Sequence, residues 1–316
     1  MRYSCGYGDL PLSLQPMFVR VLDAPRRIGL SCLPSLLLTP QKSVTAVMGI
    51  SQTETTAKQA DCQTCRFASS CVLRKAGNTV GIQQVLETNG ILMLDGGMGT
   101  MLQNAGLPLG VAPETYNLSH PEIVSGIHQA YIKAGSQVVF SNTFGANAHK
   151  LQGTGLTVEQ AVQAGVRCAK KAAEPYGAFV GLDIGPLGEL LAPMGTLSFE
   201  TAYALFAEQM EAGAAAGADA VFIETMTDLK EAKAAVLAAK EHTDLPVFCT
   251  MSFEKDHRTF TGCSLSAMAL TLDGLGVTAL GMNCSVGPVE MLPMVEELRK
   301  WTNLPLIIKP NAGLPE

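Results

Sequence analysis

From Gly81 onward the chain keeps one rhythm: a short run of consecutive apolar residues, then a longer Ala-rich segment, then another apolar run. The runs are ILMLD (91–95), VVFSN (138–142), FVGLD (179–183), AVFIE (220–224), VFCTM (247–251), ALGMN (279–283) and LIIKP (306–310). Strands covered on both faces are apolar at successive positions rather than alternate ones, so these runs predict buried parallel strands. The intervening segments, such as Leu229 to Val236, combine strong helix formers with an apolar stripe, and Thr227 or Asp228 is positioned to cap that helix. Strand, crossover helix and parallel strand then repeat, as in a β/α barrel or a doubly wound sheet. Seven runs are readable; a closed barrel needs eight strands and an open sheet of seven is allowed, so periodicity does not choose. Polar placement favours the barrel. Asp95, Asn142, Asp183, Glu224 and Asn283 all stand at the C-terminal ends of runs, where a barrel carries its active face, although each also reads plainly as a loop starter or helix cap.

Residues 1–80 have a different texture, with irregular spacing, Pro at 11, 16, 25, 34 and 40, and the Cys-rich stretch Asp61 to Cys65. The 316 residues suffice for one barrel of roughly 250 residues plus a smaller unit. No apolar run approaches the roughly 20 residues of a membrane span. Met1 to Tyr7 contains no signal-peptide core, and the chain reads as soluble and cytoplasmic. A net charge of −6 opposes general nucleic-acid binding. Nine scattered cysteines without an export signal make a poor disulfide framework. Cys62, Cys65 and Cys71 form a weak metal-knuckle pattern that lacks a clear fourth ligand.

Two places carry recognisable chemistry. Leu94-Asp95-Gly96-Gly97-Met98-Gly99-Thr100 follows the first run; its glycines let a ligand approach backbone N–H groups, and Asp95 can pair with an ammonium. The pair suits the zwitterionic end of an amino acid, whereas the spacing is not that of a dinucleotide loop. The plain alternative is a tight turn. Cys284, within Gly281 to Pro288, stands at the end of the sixth run as a possible metal thiolate or an inert thiol; no His stands nearby to activate it as a nucleophile.

These segments, together with PETYNLSHPEIV (113–124), SNTFGAN (141–147), DIGPLGE (183–189), ETMTDLKEAKAA (224–235), MSFEKDHRTFTG (251–262) and PNAGLP (310–315), fall in the order and spacing of one family. Residues 85–316 resemble the zinc-dependent homocysteine methyltransferase module of cobalamin-dependent methionine synthases. The resemblance implies an α/β fold, a (β/α)8 TIM-type barrel over 81–316 lacking its last strand, and an enzyme that transfers a methyl group to zinc-activated homocysteine to give methionine. It implies that Cys284 is one of three cysteine ligands of zinc, the other two being an adjacent pair at an eighth strand expected beyond Glu316. Cys249 and Cys263 match neither position. Asp95 and Glu224 would hold the substrate ammonium, with Gly96 and Gly97 beside its carboxylate. The implied donor is methylcobalamin on a partner domain or subunit; the alternatives are S-adenosylmethionine or S-methylmethionine as donor, or a non-catalytic S-adenosylmethionine-binding or docking module.

The N-terminal Arg2-Tyr3-Ser4-Cys5-Gly6-Tyr7, with the stretch Leu37 to Val47, resembles the C-terminal part of the reactivation domain of the same enzymes. By that resemblance residues 1–80 are a small incomplete α+β segment, in which Arg2, Gly6 and Tyr7 would contact S-adenosylmethionine. The plain reading of Gly-Tyr-Gly is a turn.

Overall fold

The structure, a computed structural model, describes residues 81–311. Arg2, Gly6, Tyr7, Cys62, Cys65, Cys71 and the end of the PNAGLP segment lie outside that range.

After helix α1 (Ile82–Asn89), Leu94 makes a single parallel bridge to Val138. Helices α2 (Met98–Asn104), α3 (Tyr116–Ser119) and α4 (Pro121–Lys133) lead into β1 (Val138–Phe140). Five strand–helix repeats follow: α5 (Val158–Ala173), β2 (Phe179–Ile184), α6 (Phe199–Ala215), β3 (Ala220–Met226), α7 (Leu229–His242), β4 (Val247–Met251), α8 (Leu265–Gly274), β5 (Ala279–Asn283), α9 (Pro288–Leu298) and β6 (Leu306–Lys309). Side-chain oxygens start four of these helices. Thr157 forms a capping box with Gln160 at α5, and Ser198, Asp228 and Ser264 accept from backbone N–H groups at α6, α7 and α8.

All strand pairs are parallel and the order is β1 to β6 without reversal. A doubly wound sheet reverses its order at a switch point; this sheet never does. It curls, and Lys309 on the last strand lies over the ring of Phe140 on the first, 4.0 Å from its centroid. The architecture left open by periodicity is therefore the wall of a TIM-type barrel.

The uninterrupted apolar runs are explained by burial on both faces. Val139, Val180, Leu182, Val221, Ile223, Cys249, Leu280 and Met282 pack outward among the helices. Val138, Phe140, Phe179, Ala220, Phe222, Phe248, Ala279 and Ile307 fill the interior with Ile82 and Val85 of α1. Phe222 sits between Phe140 and Phe248, with ring centroids 4.3 and 4.4 Å away. Gly181 makes room for it, since a β-carbon there would come within 2.4 Å of the Phe222 ring.

The run at 91–95 differs from expectation, because only Leu94 is laddered. Gln137 N and Val138 N both donate to the Met93 carbonyl, and side chains take flanking positions: Gln137 Oε1 accepts from Met93 N at 3.0 Å, and Asp95 Oδ2 accepts from Phe140 N at 2.8 Å. Sheet continuity survives with little strand geometry. No helix of the described residues is long and apolar enough to cross a membrane.

Candidate active site

The inward phase of the strands, apolar lower down, turns polar at their C-terminal ends. Asp95, Asp183 on β2, Glu224 on β3, Thr250 on β4, Asn283 on β5 and Lys309 on β6 occupy this upper layer. Lys309 Nζ bonds Glu224 Oε2 at 2.8 Å. Burial pulls the Lys309 ammonium down, but Glu224, Asp95 and Asp183 outweigh it and leave the lysine raised above its ordinary value.

Asp95 is only 2% exposed. Its Oδ2 is held by Phe140 N while Oδ1 has no hydrogen-bond partner. Burial pushes its carboxyl up to about 7 against the opposing pull of Lys309. Gly97 begins α2 with φ of −64°, and a β-carbon there would meet nothing within 4 Å. The glycine thus supplies open approach to the backbone rather than a left-handed turn. Tyr131, held up at about 12 mainly by burial, donates to the Gly97 carbonyl at 3.1 Å.

Cys284 caps the other side of the mouth. Asn283 first ties three strand ends together: its Oδ1 accepts from Thr225 N at 2.9 Å and Thr250 Oγ1 at 2.7 Å, and its Nδ2 donates to Thr225 Oγ1 at 2.7 Å. Thr225, Cys284 and Ser285 all take left-handed backbone conformations, with φ of 63°, 63° and 58°. Such positions are unfavourable for side-chain-bearing residues and persist only when the surroundings over-determine them. Here the Asn283 bonds hold Thr225, and Cys284 N donates to the Lys309 carbonyl at 3.0 Å. The turn lifts Cys284 out of the strand, and among the described cysteines it is the exposed one. Cys249 is wholly buried and pushed up to about 12 by that burial, and Cys263 is half-buried and also raised.

A model of the family described as "Homocysteine S-methyltransferase" matches residues 92–316. The chain belongs to this family. Methionine synthases of Mycobacterium leprae and Mycobacterium tuberculosis are each 31% identical over 243 residues, 71% of this chain. The match spans 20% of the length of those relatives. The metallated form of the homocysteine methyltransferase MmuM from Escherichia coli superposes with a TM-score of 0.67 at 26% identity, covering 72% of this chain and 86% of that one.

Within this homocysteine S-methyltransferase barrel, several motif residues build the scaffold. Asn142 Nδ2 donates to Pro113 O and Asn117 Oδ1, both at 2.8 Å. Glu114 accepts from Gly145 N at 2.6 Å, and Glu231 accepts from Leu187 N at 2.7 Å, fixing the loops after β1 and β2. Sequence reasoning placed Lys309 within a strand but assigned it no role; a lysine ending an otherwise apolar run was the available signal.

The buried acids also set a pH dependence of stability. Burial raises Asp95 from 3.8 to about 7 and Glu231 from 4.5 to about 7, and Asp183 shifts the same way. A carboxyl with a raised folded pKa keeps its proton while the unfolded chain releases it. Stability is therefore full below the unfolded value and is lost as pH climbs through the folded one. His128, buried without a partner and lowered from 6.5 to about 4, opposes this between those values. Three acids outvote one histidine. Thermal scans from about pH 5 to about pH 8 should show Tm falling by roughly 5 °C or more, and Asp95→Asn should flatten the slope. A Tm that rises over that interval contradicts the buried-acid account.

Proposed function

We propose that this barrel transfers a methyl group to the thiol of homocysteine, giving methionine. Asp95 and Glu224 hold the substrate ammonium, the backbone at Gly96 and Gly97 faces its carboxylate, and Cys284 lies at the sulfur end. The observation that carries the reading is the joining of Cys284 to the acid cluster through Lys309, which bonds Cys284 N with its carbonyl and Glu224 with its ammonium. An amino acid bound by its ammonium at the acids can direct its side chain toward an exposed thiol.

Zinc is the metal this reading takes from the family. A structural or catalytic zinc needs at least three protein ligands. Among the described residues no group of three or more His, Cys, Asp or Glu can hold a metal ion, so they do not fit zinc by themselves and Cys284 is at most one of its ligands. The donor in this reading is methylcobalamin carried by a partner domain or subunit. S-adenosylmethionine and S-methylmethionine are the alternatives. A non-catalytic role in S-adenosylmethionine binding predicts ligand uptake without turnover.

The test uses the full-length gene product. Zinc content and methionine formation are measured with each of the three donors in turn, for wild type and Cys284→Ala. The variant should lose bound zinc and at least ~100-fold in methionine formation while melting as wild type does. Stoichiometric zinc in Cys284→Ala would remove Cys284 from the metal site, and no methionine with any donor would overturn the reaction.

A further inference from the structure

Asp183 is a buried acid for which the fold has no evident use. It is 7% exposed. Its backbone is engaged, with N donating to Ser141 Oγ at 3.3 Å and O accepting from Thr143 Oγ1 at 2.8 Å. Its carboxyl makes no hydrogen bond among the described residues, and Oδ1 is enclosed without a partner. Burying a bare carboxyl costs stability, and burial followed by the repulsion of Glu224 drives Asp183 well above the usual carboxylate range. On β2 it follows Phe179 and Gly181 on the interior phase, and it lies close enough to Asp95, Glu224 and Lys309 for all three to perturb it.

The acceptors of this layer divide in two. Glu224 Oε2 is committed to Lys309, and Asp95 Oδ2 to Phe140 N. Asp95 Oδ1 and Asp183 Oδ1 are the enclosed oxygens left without donors. A primary ammonium presents three N–H donors and one positive charge, which is the complement of two vacant carboxyl oxygens beside an ion pair already in place. Lys309 cannot serve both, since its ammonium is fixed at Glu224 and over the Phe140 ring.

We propose that Asp183 is a substrate-reading residue, the third acid of the ammonium subsite, where Asp183 Oδ1 and Asp95 Oδ1 accept hydrogen bonds from the α-ammonium of the amino-acid substrate. The proposal rests on the amino-acid reading above and adds a specificity determinant to it. Asp183 selects thiols that carry a primary ammonium over thiols of equal length without one. The stability lost by burying it is spent on that selection.

The experiment measures binding by calorimetry to the full-length protein, with L-homocysteine and 4-mercaptobutanoate, which lacks the ammonium. Wild type should prefer homocysteine. Asp183→Asn keeps the shape but cannot ionise to meet the ammonium; it should weaken homocysteine by about tenfold to a hundredfold, the size of a charge-assisted hydrogen bond. It should leave 4-mercaptobutanoate unchanged and keep or raise Tm. Asp183→Ala should show the same ligand selectivity. Equal losses for both ligands, no loss for either, or a lowered Tm in Asp183→Asn would each overturn the proposal. Wild type that binds the two thiols equally would also overturn it. Homocysteine binding that depends on Asp183 in a protein making no methionine leaves this subsite standing and removes the reaction; turnover indifferent to Asp183→Asn does the reverse.

Discussion

Replacing Lys309 with methionine is expected to destabilise the barrel by about 3–5 kcal/mol, the usual result of removing one partner from a buried ion pair. Lys309 and Glu224 have side chains only 11% and 16% exposed, with their charged atoms 2.8 Å apart. In water that contact would contribute little. In the barrel mouth the loss is larger, because Lys309 is the cation that opposes Asp95, Asp183 and Glu224 together. Methionine nearly preserves the volume and can still pack on the Phe140 ring, so the loss would report charge rather than a cavity. Glu224→Gln in the same background should recover most of it, since both unpaired charges are then gone. Denaturant unfolding of the wild type, the two single variants and the double variant closes the cycle. A Lys309→Met change below about 1 kcal/mol, or a double variant no better than Lys309→Met alone, would show that Lys309 does not balance the acids.

That balance also shows what the sequence could and could not disclose. The barrel was legible because β2 to β5 bury both faces, so their runs lack the alternation of a half-exposed sheet, and the same runs carry at their ends the polar residues that form the mouth. Asp228 was readable as a cap because the helix pattern starts immediately after it. The run at 91–95 read as a full strand because its composition is that of one; that Gln137 and Asp95 side chains would substitute for ladder bonds depends on residues some 44 positions apart meeting. Residue type at a strand end does not separate scaffold from site. Asn142 and Asp183 are both polar residues at such ends, yet Asn142 spends its amide on Pro113 and Asn117 while the carboxyl of Asp183 is left bare. The interior phase of Lys309 was fixed by register with β5, where it lies opposite Asn283, and no local pattern encodes that register.

Asn283 is the other position where a single side chain should matter most. Asn283→Ala is expected to cost about 3–5 kcal/mol, because it leaves the Thr225 N–H and two hydroxyls without their partners and opens a small void. The penalty is compounded at Thr225. This β-branched residue is held at φ of 63°, and both of its bonds to Asn283 help to fix that conformation. Releasing it lets the β3 end relax and draws Glu224, its chain neighbour, away from Lys309. Relaxation at β5 moves the adjacent Cys284 as well, since residue 283 leads directly into the left-handed turn at Cys284 and Ser285. Two readouts should therefore change together: the unfolding free energy, and the rate at which iodoacetamide alkylates Cys284, followed on its own peptide by mass spectrometry. Asn283→Asp separates hydrogen bonding from charge. It keeps the acceptor for Thr225 N and Thr250 but replaces the donor to Thr225 Oγ1 with a further carboxyl beside Glu224, so its deficit should be smaller at about pH 5 than at about pH 8. A full-strength Asn283→Ala protein with an unchanged Cys284 alkylation rate would mean that the three strand ends are held by packing alone, and that the placement of the thiol does not depend on this amide.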